Sequence, residues 1–185
     1  AASAFYNCTY KNSIIITHDD GFRETGPLHG MIFYGESNKI LPVFPHYLNI
    51  GNLYIRVGNF LGFDYRGAAG KLMGLAPYGK PIFFNQEMIG NTYDLRSKGI
   101  RNLGEQWLLH CLRSAKSKGY DLDPIGNTNR ILEPICVDIA ASTQKLFEET
   151  LLNTVQTVSE MCIANQISTD TICYAGGTAL NCPAN

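Results

Sequence analysis

Ile14-Ile15-Ile16-Thr17 runs directly into His18-Asp19-Asp20-Gly21. Three consecutive β-branched isoleucines favour an extended, fully buried strand, and Asp-Asp-Gly is ordinary turn chemistry. The strand therefore delivers Asp19 and Asp20 into a turn at its C-terminal end, where α/β folds gather their ligands. Strand alternation directs His18 away from its neighbour. An acidic pair in that position suits a divalent metal or the waters around a phosphate, and a solvated turn accounts for it equally well.

Residues 22–30 read as loop, and residues 30–35 and 39–44 flank Glu36-Ser37-Asn38 as a β-hairpin placed beside the first strand. Ile50, Leu53, Tyr54, Val57 and Leu61 recur at helical spacing and Gly62 stops that helix. A second helix begins near Leu103 with Trp107, Leu108, Cys111, Leu112 and Ala115 on one face, and Asn102 with Glu105 has capping-box spacing. Residues 120–134 are polar and read as a surface loop. The longest helix covers about 135–166, with Ile139, Ala140, Leu146, Phe147, Leu151, Val155, Val158 and Cys162 as its apolar stripe. Thr171 to Ala175 is then a buried strand that runs into Gly176-Gly177-Thr178-Ala179-Leu180-Asn181. Two glycines between a strand and a helix start let backbone N–H groups approach a phosphate, although a tight turn needs glycine with no ligand present. Strands, then helices, then a strand–glycine turn make a mixed α/β fold.

The chain has 185 residues, 45% of them hydrophobic, 17% charged, with a net charge of -1. Such a chain buries a real core as one globular domain or a large part of one. Near-neutral charge argues against broad nucleic-acid binding, which needs a basic face. No apolar run reaches the length of a membrane span, and residues 1–10 lack the basic start and apolar stretch of a signal peptide. The first residue is alanine, which suggests an excised fragment. Six scattered cysteines without a Cys-x-x-Cys pair read as free, mostly buried thiols of a cytoplasmic protein. His29, His46 and His110 lack metal-ligand spacing and read as structural. No Gly-x-Ser-x-Gly elbow is present.

Gly70-Lys71-Leu72-Met73-Gly74-Leu75-Ala76-Pro77-Tyr78-Gly79 is the most distinctive stretch. Glycines clustered over 67–81 argue against a regular element there. The stretch is not a phosphate-binding P-loop, because no Ser or Thr follows Gly70-Lys71. It reads either as a loop pressing its backbone on a ligand, with Lys71 supplying a cation, or as a buried connection with an exposed lysine.

GKLMGLAPYG (70–79) resembles the hallmark of the carbamoyltransferases that include nodulation-type and antibiotic-modifying enzymes. AASAFYNC (1–8), ITHDDG (16–21), DIAASTQKLFEETL (138–151) and YAGGTALNCPAN (174–185) resemble further segments of that family in the same order. The resemblance implies an α/β domain of the actin-like, sugar-kinase-like ATPase fold, a mixed sheet with flanking helices. Residues 1–134 would be a first-subdomain portion and 135–185 the start of a second. It also implies a reaction in which carbamoyl phosphate and ATP give carbamoyl-adenylate on a separate C-terminal domain. The actin-like domain then passes the carbamoyl group to the hydroxyl of a small-molecule acceptor. A divalent metal, often iron, lies beside the nucleotide.

Carried over residue by residue, Asp19 is the metal- or phosphate-side catalytic aspartate. Gly176, Gly177 and Asn181 contact the nucleotide, and Gly70 with Lys71 faces the adenylate or acceptor. The family's paired histidines, its later aspartate segment and its adenylate-forming domain have no counterpart in these residues. The 185 residues alone are therefore expected to bind metal poorly and to be inactive. A non-catalytic nucleotide-binding module of the same fold is the alternative, and a sugar kinase is disfavoured because GKLMGLAPYG has no role there. No nucleic-acid or membrane partner is expected, and a homodimer is left open.

Overall fold

Ile14, Ile15 and Ile16 are each at most 2% exposed, in the middle of strand β1 (Asn12–His18). The computed structural model describes residues 1–19, 30–46, 48, 50–92, 103–167, 169 and 171–185. The sequence readings of Asp20, of the 22–29 loop, of His29 and of the Asn102 cap lie outside the described residues. Strand β2 (Gly30–Glu36) pairs antiparallel with β1, and β3 (Lys39–His46) pairs antiparallel with β2. Ser37 adopts φ 55° in the tight turn between them, which completes the expected hairpin. Strand β4 (Ile172–Ala175) lies parallel to β1 on its other side, so the sheet order is β3-β2-β1-β4.

Six helices complete the described residues: α1 (Ala2–Tyr6), α2 (Ile50–Phe60), α3 (Ala68–Leu75), α4 (Glu87–Thr92), α5 (Leu103–Ser117) and α6 (Pro134–Ala164). Strand β1 is buried on both faces, which is why its apolar residues are consecutive rather than alternating. On one face Ile14, Ile16 and Ile32 meet Val158 and Cys162 from the last turns of α6. On the other, Ile15 and Cys173 meet Phe5 of α1. The principal core joins α2, α3, α5 and the first half of α6 around Trp107, Phe83 and Phe147, and so spans residues on both sides of position 134.

The long C-terminal helix forms as its periodicity predicts, with one change. Val155 is 39% exposed, whereas Thr150, Thr154 and Thr157 are buried. Thr150 and Thr154 satisfy their hydroxyls on the carbonyls of Leu146 and Thr150, four residues back, so a threonine can occupy an apolar interface without an orphaned donor.

The larger correction concerns residues 67–81, expected to be irregular. They form α3 followed by a 3₁₀ turn, Ala76–Tyr78. Ala68, Leu72, Leu75 and Ala76 all face the core, and their burial outweighs the poor helix propensity of Gly70 and Gly74. The glycines of this stretch serve different ends. A β-carbon at Gly70 or Gly74 would meet nothing within 4 Å. At Gly79 it would lie 2.0 Å from the Val137 carbonyl oxygen of α6. The chain can turn onto α6 there only without a side chain, and immediately afterwards the Lys80 N–H donates to Asp138 Oδ1 at 2.7 Å.

Gly79→Ala should therefore lower unfolding free energy by about 2–3 kcal/mol through backbone overpacking. Gly74→Ala should raise it by about 0.5–1 kcal/mol through helix propensity. Urea denaturation of the two variants checks the pair, and equal effects would contradict the packing described.

Candidate active-site cavity

Parallel pairing of β1 with β4 aligns Thr17 with Ala175, so the residues two positions further on, Asp19 and Gly177, emerge side by side. A β-carbon on Gly177 would stand 2.6 Å from Asp19 Oδ1; the missing side chain is the room the carboxylate occupies. Gly176 is constrained more tightly still. Its φ is 112°, and a β-carbon there would fall 2.0 Å from the His18 carbonyl oxygen.

After these glycines the chain makes one four-residue 3₁₀ turn, Gly177–Leu180, rather than the start of a regular helix. A single turn of this kind has too few aligned peptides for a substantial dipole, so any anion there is served by individual N–H groups. The turn is fixed from within. The Thr178 hydroxyl donates to the His18 carbonyl at 2.8 Å, and the Tyr174 hydroxyl lies 2.6 Å from Thr178 Oγ1. With its own proton already committed, Thr178 accepts from Tyr174. The imidazole Nε2 of His18 donates to the Leu48 carbonyl at 2.8 Å. His46 and His110 likewise bond the carbonyls of Thr17 and Phe83.

These elements enclose a cavity of about 380 Å³. Asp19 stands at one side with Gly177, Thr178, Leu180 and Asn181 from the turn; α2 contributes Gly51, Tyr54 and Ile55; α3 contributes Ala69, Gly70 and Met73; and Phe147 closes the wall. Four of the residues singled out from the sequence, Asp19, Gly70, Gly177 and Asn181, thus meet around one space. Gly176 lies just behind it. Lys71 is not brought in: its ammonium sits 5.6 Å from the centroid of the Phe63 ring, a cation–π distance, on the exposed side of α3. Asp19 is the sole carboxylate among the described lining residues. Among the described residues no group of three or more His, Cys, Asp or Glu side chains is arranged to hold a metal.

Sequence reasoning passed over Tyr54 and Gln144. Tyr54 occupies a helical position that reads as core, and burial pushes its phenol well above the ordinary tyrosine range, offset in part by a hydrogen bond from Asn181. Its hydroxyl donates to Gln144 Oε1 at 2.6 Å. The legible signal was Ser142-Thr143-Gln144, three consecutive polar residues directly after the apolar Ile139-Ala140-Ala141 of the same helix.

The cysteines carry no disulfide; Cys111, Cys136, Cys162 and Cys173 are buried, and Cys182 is exposed. Burial pushes the Cys136 thiol up to about 11. No described helix is long and apolar enough to cross a membrane.

A mixed α/β sheet with a ligand-sized cavity beyond the ends of two parallel strands is an arrangement in which α/β proteins commonly gather their ligands. The particular family follows from comparison: the family model for the carbamoyltransferase N-terminus matches residues 1–185, and the chain belongs to that family of transferases. The uncharacterized protein sll1178 of Synechocystis sp. is 31% identical over 193 residues, covering 100% of this chain and 30% of its own length. Nodulation protein NolNO of Sinorhizobium fredii is 28% identical over 192 residues, covering 100% of this chain and 25% of its own. Nodulation protein NolO of Bradyrhizobium diazoefficiens is 27% identical over 195 residues, covering 100% and 31%. The chain therefore spans less than a third of the length of these relatives.

Burial also pushes the Tyr174 phenol, which braces the turn, up to about 12. The folded state holds that proton more tightly than the unfolded chain, whose tyrosines titrate near 10. Its contribution to stability is thus complete below about pH 10 and is lost as pH rises towards 12. The urea midpoint should fall across that window, and Tyr174→Phe should make the fall shallower; an identical slope in the variant would contradict the assignment.

Proposed function

We propose that the chain forms part of an O-carbamoyltransferase of the actin-like ATPase fold, which takes a carbamoyl group from carbamoyl-adenylate to the hydroxyl of a small-molecule acceptor. Carbamoyl phosphate and ATP are the co-substrates in this reading, and a further domain of the full-length protein makes the adenylate. The observation that carries it is the convergence of Asp19, Gly70, Gly177 and Asn181, from three separate sequence segments, on one cavity. Ile55, Met73, Phe147 and Leu180 supply apolar wall for a planar base, while the turn at Gly177–Asn181 supplies N–H groups and an amide for polar atoms.

In the transfer step the acceptor oxygen attacks the carbamoyl carbon. The bond from that carbon to the adenylate phosphate oxygen breaks, AMP leaves with the bonding pair, and the hydroxyl proton passes to a base. In this reading Asp19, at the cavity wall beside Gly177 and the N–H groups of its turn, accepts it. Such donors favour the oxyanion that develops on the carbonyl. Lys71 has no contact in the cavity and is given no step.

Gly70→Val tests the cavity cleanly, because a β-carbon there meets no protein atom within 4 Å and the substitution should leave folding intact. In the full-length gene product, isothermal titration with ATP in the presence of carbamoyl phosphate should show binding to the wild type. Gly70→Val should weaken it by about tenfold or more through occupied volume. Titration silence from the wild-type protein would sink the reading.

A further inference from the structure

The amide of Gln144, in α6, has two N–H donors and two acceptor lone pairs, and all four are used. Nε2 donates to Glu148 Oε1 at 2.8 Å and to Asn181 Oδ1 at 3.0 Å. Oε1 accepts from the Tyr54 hydroxyl at 2.6 Å and from Asn181 Nδ2 at 3.2 Å. The orientation of the amide follows from its partners: a carboxylate only accepts, so the NH₂ end must face Glu148, and the oxygen then faces Tyr54. Gln144 is 7% exposed and Asn181 4%, so little water competes for these bonds.

Gln144 does not itself line the cavity, whereas Tyr54 and Asn181 both do, from different elements. Tyr54 projects from α2 and Asn181 ends the turn that follows β4. Among the hydrogen bonds of the described residues, Gln144 alone bonds both side chains. The reciprocal pair of bonds between Gln144 and Asn181 fixes the Asn181 amide in rotation as well as position, which a single bond does not do.

We propose that Gln144 is a positioning residue: it sets the Asn181 amide and the Tyr54 ring at the spacing and orientation with which they meet the nucleotide, and touches no ligand atom itself. This rests on reading the cavity as a nucleotide site, but its structural half stands without that reading. If Gln144 acts through Asn181, losing either should cost the same interaction, and losing both should cost little more than losing one. A general packing role would instead lower stability throughout and leave the two losses independent.

The test uses the full-length gene product with Gln144→Met, which keeps the side-chain length and removes the amide, Gln144→Glu, which keeps the acceptor, and Asn181→Ala. Without ligand, amide hydrogen exchange measured by mass spectrometry should quicken about tenfold over residues 176–185 in Gln144→Met, with residues 134–140 of α6 unchanged. With ATP as the probe, Gln144→Met and Asn181→Ala should each raise Kd about tenfold, the double variant should match the weaker-binding single, and Gln144→Glu, which sets a carboxylate against Glu148, should bind no better than Gln144→Met. Unchanged exchange over 176–185 would overturn the proposal whether or not ATP binds. So would additive losses in the double variant, or faster exchange throughout α6. Faster exchange confined to 176–185 in a protein that binds no ATP would support Gln144 as the brace and count against the nucleotide reading instead.

Discussion

A helix buried on nearly every side must find a partner for each polar group it carries, and α6 carries four in its first three turns. Each reaches a different part of the chain. Asp138 accepts from the Lys80 N–H and from the Tyr120 hydroxyl at 2.6 Å. Ser142 accepts from the Phe83 N–H at 3.1 Å, and Thr143 from the Trp107 indole of α5 at 2.9 Å. Gln144 holds Tyr54 and Asn181. Leaving any one unpaired would cost a buried polar desolvation, so the bonds of these four groups specify how the surrounding elements must sit on the helix. Hydrophobic burial alone, being non-directional, would not choose that arrangement.

The cavity inherits its geometry from these constraints. The segment Gly70–Gly79 is tied to α6 at its far end by the side-chain-free approach of Gly79 to Val137, which leaves the Gly70 surface of α3 facing the cavity. The parallel pairing of β1 and β4 brings Asp19 beside Gly177, and Gln144 fixes the closing Asn181. Two glycines in the short helix α3 cost about 1–2 kcal/mol together. Neither is required by packing, and Gly70 borders the cavity, where a side chain would take up ligand volume.

Much of this was legible in the sequence because it rests on periodicity. The isoleucine run, the hairpin around Ser37, helix α2 ending at Gly62 and the long α6 all follow from spacing and turn chemistry, and Asp19, Gly70, Gly177 and Asn181 do come together. Helix α3 was not legible, since local glycine propensity points one way and the burial of Ala68, Leu72 and Leu75 points the other. The short 3₁₀ turn after Gly176 was missed because a strand–Gly-Gly pattern does not distinguish one turn from a helix. Tyr54 and Gln144 were missed for a related reason: the polar run Ser142–Gln144 is local, but nothing in it names a partner 90 positions away. The rotation of Lys71 onto Phe63 is likewise a tertiary outcome, as helical phase places it one residue away from the cavity-facing Gly70.

The central claim is that the space between β1, the turn after β4, α2 and α3 holds the nucleotide portion of an activated carbamoyl group. A crystal structure of the full-length gene product with a nonhydrolysable ATP analogue tests it most directly. Density is expected between Asp19, Gly70 and Asn181, with the base against Met73 or Phe147 and a polar contact to the Asn181 amide. Nucleotide density elsewhere in the protein, with this cavity filled only by water, would contradict it.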